Sequence, residues 1–227
     1  MKKGLTNNQL KIIAMITMTV DHAGLILFPD AIWMRIIGRL AYPIYAYMIA
    51  EGCNHTRSMG RYLGTLSIMA LVCQLAYTFT SGSLVQSILV TFSLSVGLVW
   101  ILRWARSRRL PAKLLACAAI LLVLFLTEGL PMLLPDTDYS VEYDFIGVIL
   151  PVVICFCPTK KQKLLACALL LSMMSTFMWP GQWFGLLAVP ILAMYNGRRG
   201  RLPLKWIFYL YYPIHLLLLQ GLVFLFY

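Results

Sequence analysis

Apolar stretches of about 15–24 residues recur along this whole chain, and each is long enough to cross or nearly cross a bilayer. No polar block between them is large enough to make a soluble domain. The charge content agrees. Charged residues make up 12% of the 227 positions and hydrophobic residues 61%, about half the charged share of a soluble domain, and the mean hydropathy is +0.81. The chain therefore reads as one polytopic membrane domain, 1–227, an all-α transmembrane helical bundle in which every backbone polar group is satisfied within a helix.

Nine spans are predicted, at about 9–28, 31–52, 61–80, 85–104, 113–134, 143–157, 163–179, 182–195 and 204–226. The sixth and eighth are short, and read either as thinly flanked helices or as re-entrant pieces buried against protein. The first run carries Asp21 and His22 and no small-residue cleavage site follows it, so it is expected to stay as a helix rather than leave as a signal peptide.

The cations set the orientation. With the N-terminus in the cytoplasm, Lys2, Lys3, Lys11, Arg57, Arg61, Arg103, Arg106, Arg108, Arg109, Lys113, Lys160, Lys161, Lys163, Arg198, Arg199, Arg201 and Lys205 all fall inside. The opposite loops hold Asp30, Asp136 and Asp138, with Glu142 and Asp144 at a span mouth, and no Lys or Arg. The C-terminus is then outside. The net charge of +11 is thus mainly an orientation signal, and nucleic acid is not the partner it implies. Trp33, Trp100, Trp104, Trp179, Trp183 and Trp206 lie near span ends, as an interfacial belt would. Six cysteines lie mostly in apolar segments and read as buried thiols; Cys155 and Cys157 are too close in sequence for a good zinc pair.

The polar residues left within the spans point to function, because an ionisable group at bilayer depth is costly. Helix rise puts His22 roughly 20 Å from the cytoplasmic end of the first span, Arg39 about 12 Å from the outer end of the second, and His215 about 17 Å into the last. A deep layer of Asp21, His22, Arg39 and His215 forms if spans one, two and nine pack together. A cytoplasmic layer holds Lys11, Glu51, His55, Arg57, Arg61 and Tyr62 and suits a polyanion, since guanidinium forks match phosphate. Arg57 and Arg61 share a face if the helix continues through them. Asp21 and His22 point about 100° apart, so one faces the chemistry and the other orients a neighbour. Arg35 and Arg39 share a face, and one of them is offered as partner to Asp21. That pair reads equally well as architecture or as function. No Walker-type glycine loop, Gly-x-Ser-x-Gly elbow or strong metal spacing is present.

Several of these residues stand in a recognisable order: Leu10-Lys11-Ile12-Ile13-Ala14-Met15 leading into Asp21-His22-Ala23-Gly24; Arg35-Ile36-Ile37-Gly38-Arg39 with Pro43; Glu51-Gly52, His55-Thr56-Arg57 and Tyr62; Tyr195-Asn196-Gly197 with Gly200; and Phe208 to His215. In these the chain resembles the TraX family, named for the protein that N-acetylates F-type pilin. The resemblance implies a multi-pass acetyltransferase of the bacterial cytoplasmic (inner) membrane that uses acetyl-CoA and no metal. It implies His22, Asp21, Arg39 and His215 at the reaction, and Lys11, Glu51, His55, Arg57, Arg61, Tyr62 and Asn196 around the co-substrate. The implied partners are acetyl-CoA, a peptide or pilin N-terminus, sugar or small-molecule acceptor, the lipid bilayer and, as an open alternative, a second copy of the chain. On this reading His22 is the general base. The rival class is a proton-coupled small-molecule transporter, which also uses buried Asp, Arg and His.

Overall fold

The computed structural model describes residues 4–177, 179–200 and 205–226, the last stretch without the side chains of 205, 206, 209, 220 and 222–226. Lys2, Lys3 and Arg201, and the side chains of Lys205, Trp206 and Tyr209, lie outside the described residues. The described chain is helical throughout, with two isolated bridges, Leu5 to Tyr195 and Gln86 to Val141, in place of strands. It divides into two compact units, Met1–Met48 with Thr159–Tyr227 (unit 1) and Ile49–Pro158 (unit 2).

Unit 1 begins with α1, Asn7–Ile26. Thr6 starts it with a capping box: its hydroxyl accepts from the Gln9 amide at 3.3 Å while the Gln9 side-chain oxygen accepts from the Thr6 amide at 2.9 Å. The expected second span, 31–52, is two helices: α2 (Ile32–Gly38) and α3 (Ala41–His55), separated by a turn at Arg39-Leu40. Pro43 accounts for the break, because in a continuous helix its ring would meet the carbonyl of Arg39. As the third residue of α3 it is harmless, since the first-turn amides have no partner within the helix. The unit continues with α9 (Lys160–Phe177), a 3-10 segment (Pro180–Leu187), α10 (Ala188–Ala193) and α11 (Lys205–Phe226). The expected eighth span, 182–195, is therefore divided between 3-10 helix and the short α10. α1 packs against both α2 and α11, and α2 also meets the 3-10 segment.

Unit 2 holds the end of α3, then α4 (Met59–Ser81), α5 (Ile88–Ala105), α6 (Leu110–Leu124), a π-turn (Phe125–Gly129), α7 (Leu130–Leu133) and α8 (Asp144–Phe156). The Ser58 hydroxyl caps α4 by accepting from the Arg61 amide at 3.3 Å, and Gly82, in left-handed backbone at φ +68°, ends it. Three helices among the described residues are long and apolar enough to cross a membrane: Met59–Ser81, Ile88–Ala105 and the continuous Leu110–Leu133. At 1.5 Å per residue they measure about 35, 27 and 36 Å against a hydrocarbon core of about 30 Å. The central α5, which packs on α4, α6 and α8, is 44% buried over its apolar window, and the flanking two only 17%. Apolar side chains such as Ile68, Leu71, Leu114 and Leu121 face outward from those flanks, as a lipid-facing surface requires. This is a membrane protein. Of the six thiols, Cys117 is exposed and Cys157 half-buried.

Polar contacts pin the unit. Thr91 and Ser95 of α5, both fully buried, donate at 2.8 Å to the carbonyls of Glu142 and Val148. Arg103 donates to the Cys53 carbonyl (2.7 Å), to Asn54 Oδ1 (2.5 Å) and to Cys155 Sγ (3.0 Å), which caps the end of α3 with a cation. Tyr143 and Asp144 enter α8 in left-handed backbone at φ 65° and 52°, an uncommon conformation for side-chain-bearing residues.

Candidate functional site

Two polar clusters leave α1 in different directions, because consecutive helical residues diverge by about 100°. Asp21 turns to α2. Arg39 Nη2 lies 2.7 and 2.8 Å from its two carboxylate oxygens, and Arg35 Nη1 lies 2.9 Å from Oδ2. Arg39 is held in turn by donating through Nε to the Arg35 carbonyl at 3.1 Å, and its guanidinium sits 5.8 Å from the Trp179 ring. Both Asp21 and Arg39 are buried. One carboxylate and two guanidiniums give these three side chains together a net charge of +1. Gly38 makes the approach of α2 to α1 feasible: a Cβ there would run into the Asp21 side chain.

His22 turns to α11. Its Nδ1 is 2.7 Å from His215 Nε2, and His215 Nδ1 is 2.9 Å from the Tyr211 carbonyl. Hydrogen-bond logic assigns the protons. A carbonyl only accepts, so His215 Nδ1 carries its hydrogen; neutral His215 then has a lone pair on Nε2, so His22 Nδ1 donates. Neutral His22 is left with an unprotonated Nε2 outside this chain of bonds, which is the form a general base takes. The Tyr211 ring stacks on His215 at 5.1 Å and 9°, and Tyr212 packs against it edge-on at 5.5 Å. The Tyr211 hydroxyl bonds the hydroxyl of Thr19, which itself donates to the Met15 carbonyl at 2.9 Å.

These contacts form one seam. Lys11, Met15, Thr19 and His22 make a stripe along α1, facing Phe208, Tyr211 and His215 of α11, which runs in the same direction. Lys11 Nζ lies 4.9 Å from the Phe208 ring, about 16 Å along the helix from His22, and Arg199 is near enough to repel it. Asn196 is committed to the backbone: its amide donates to the Gly4 carbonyl and its oxygen accepts from the Arg198 amide, both at 2.9 Å. It ties the Tyr195–Gly200 loop to the start of α1, where the Arg198 carbonyl also accepts from the Asn7 amide at 2.8 Å.

The other residues expected around a co-substrate belong to unit 2. His55 Nδ1 donates to the Glu51 carbonyl at 2.9 Å, and its side chain is 71% exposed, while Glu51 is buried. The helix does not continue through Arg57 as a shared face would need. α3 ends at His55 and α4 begins at Met59, because the Ser58 hydroxyl takes over the amide bonding there. Arg57 therefore sits in the turn and Arg61 in the first turn of α4, both exposed. The half-buried Tyr62 covers Gly52 with its hydroxyl. Among the described residues no group of three His, Cys, Asp or Glu side chains could hold a metal ion.

The sequence offers Arg35 or Arg39 as the partner of Asp21 and Tyr211 as packing, and leaves Thr19 without a role. Arg35 grips Asp21 alongside Arg39 rather than instead of it; Thr19 and Tyr211 lock the α1–α11 register. Tyr211 had a legible signal, lying four residues before His215 on one helix face.

Comparison with known proteins places this arrangement. No solved structure matches the chain. Over an alignment of 241 residues covering 93% of both chains it is 27% identical to the probable fimbrial assembly protein FimC, serogroup H1, of Dichelobacter nodosus. It is 52% identical over 44 residues, 18% of each chain, to an uncharacterized protein of Rickettsia prowazekii (strain Madrid E). The family model described as "TraX protein" matches residues 6–223, from the cap of α1 to the last turns of α11. The chain belongs to the TraX family.

Proposed function

We propose that this protein is an integral-membrane acetyltransferase of the cytoplasmic membrane, moving an acetyl group from acetyl-CoA to an amine or hydroxyl acceptor. The observation that carries it is the Tyr211–His215–His22 chain, which leaves the His22 Nε2 lone pair without a hydrogen bond among the described residues. His22 Nε2 takes the proton of the acceptor as its nitrogen or oxygen attacks the thioester carbonyl. The net positive charge of the Asp21, Arg35 and Arg39 side chains favours the oxyanion that forms. When the carbon–sulfur bond breaks, His22 returns the proton to the departing CoA thiolate. Lys11 and Arg199, at the far end of the seam, supply positive charge for the donor's phosphates. Family membership, and the fimbrial assembly protein aligned over 93% of the chain, favour a pilin-type subunit as the acceptor.

The test is transfer of radiolabelled acetyl from acetyl-CoA by purified protein in nanodiscs. His22→Ala lowers kcat by about a hundred- to ten-thousand-fold, and His215→Ala, which releases the tautomer, by about tenfold or more. Full activity in both variants overturns the assignment. The histidine chain also favours a second reading, proton-coupled transport. Proton-linked flux in liposomes, with no binding of acetyl-CoA, decides for that reading.

A further inference from the structure

Unit 2 holds an open groove of about 410 Å3 where the end of α5, the start of α6 and the end of α8 meet. Its floor is small and buried, Ala105 and Ala116. Its walls include the exposed Phe156 and Cys117, and its rim carries Arg106 and Lys113.

Three observations define what fits. The interior is apolar, so the occupant brings an apolar part. The rim is cationic: Arg106 and Lys113 are exposed and form no ion pair among the described residues. Arg108 and Arg109 lie in the same loop, and no Asp or Glu occurs between Glu51 and Glu128. The surroundings are those of a bilayer boundary, because α5 and the continuous Leu110–Leu133 helix that α6 begins are two of the three membrane-length helices. Trp104, 39% exposed and stacked by Arg108 at 4.7 Å, stands at the same end. Basic pockets between membrane helices suit lipid head groups of opposite charge. Acetyl-CoA matches the cationic rim, but its acyl group is only acetyl and its pantetheine arm carries amides that the apolar floor cannot bond.

We propose that this groove binds one anionic phospholipid, its acyl chain laid on Ala105, Ala116, Cys117 and Phe156 and its phosphate between Arg106 and Lys113. Native mass spectrometry of the full chain, with phosphatidylglycerol or phosphatidylcholine of identical acyl chains, tests it. Wild type is expected to retain one phosphatidylglycerol in preference to phosphatidylcholine. Arg106→Gln with Lys113→Gln lowers that preference about tenfold or more. Cys117→Trp fills the groove from an exposed position and removes the bound lipid with both cations in place, while helical circular dichroism and the thermal transition stay those of wild type. Equal retention of the two lipids overturns the proposal. So does displacement of phosphatidylglycerol by millimolar inorganic phosphate or by acetyl-CoA, or unchanged lipid retention in the folded Cys117→Trp protein.

Discussion

Unit 1 buries charge and unit 2 displays grease. In unit 1 the helices meet through ionised and imidazole groups: Asp21 on Arg35 and Arg39, and His22 on His215. In unit 2 the interior is mostly apolar, with a few hydroxyls turned to neighbouring carbonyls, as at Ser95, and its charges, the buried Glu51 near the end of α3 included, lie towards the helix ends. Arg57, Arg61, Arg106 and Lys113 mark the end where α4 and α6 start and α5 stops; Glu128, Asp138, Glu142 and Asp144 mark the other. A buried charge is kept only where partners hold it, and such arrangements suit chemistry more than stability. On the function proposed above, the reaction belongs to unit 1, while unit 2 carries the three helices long and apolar enough to cross a membrane.

Removal of a buried charge is the hardest test of that contrast. Asp21→Ala strands two guanidiniums and destabilises the fold by about 3–5 kcal/mol, read as the loss of unfolding free energy in denaturant titration. A change within experimental error would mean that the ion cluster is solvated and that the two units do not differ in kind. Next comes the hydroxyl bond inside unit 2. Ser95→Ala removes one partner of a buried bond and leaves the Val148 carbonyl with one partner fewer, for about 1–2 kcal/mol. Leu121→Ala, on the outward face of α6, changes stability by less than about 0.5 kcal/mol. A larger effect of Leu121→Ala would mark that face as a protein contact.

The smallest effect lies in an outer loop. The Ser83 hydroxyl and the Leu84 amide donate to Asp138 at 2.6 and 2.9 Å and hold its carboxyl below the usual range. The folded-state pKa is depressed, so the stabilisation is complete above the ordinary aspartate value. It is lost as pH falls through the lower folded one. Hydrogen exchange at the Leu84 amide should therefore quicken as pH falls below about 4 in wild type and show no such acid response, beyond the intrinsic chemistry, in Asp138→Ala; the same acid response in both would show that another group holds this loop.

Much of unit 2 was readable in one dimension. A helix in lipid must satisfy its backbone internally and face apolar neighbours on most sides, so α4, α5 and the continuous helix Leu110–Leu133 show as unbroken apolar runs of the necessary length. Local chemistry was readable too: Thr6 with Gln9, and Ser58 before α4, act over three residues. The turn at Arg39-Leu40 was harder, since the run 31–52 is apolar across it and only Pro43 interrupts the hydrogen-bonding pattern.

By itself the sequence determined that this is a helical membrane protein of the TraX family, with Asp21, His22 and His215 in apolar surroundings, because composition, spacing and motif order are properties of the chain. Only the tertiary structure decided that Asp21 serves two arginines at once and that His22 meets His215, since residues so far apart along the chain are joined by packing alone. It likewise decided which nitrogen of His22 keeps its lone pair, because that depends on the Tyr211 carbonyl at the end of the chain of bonds.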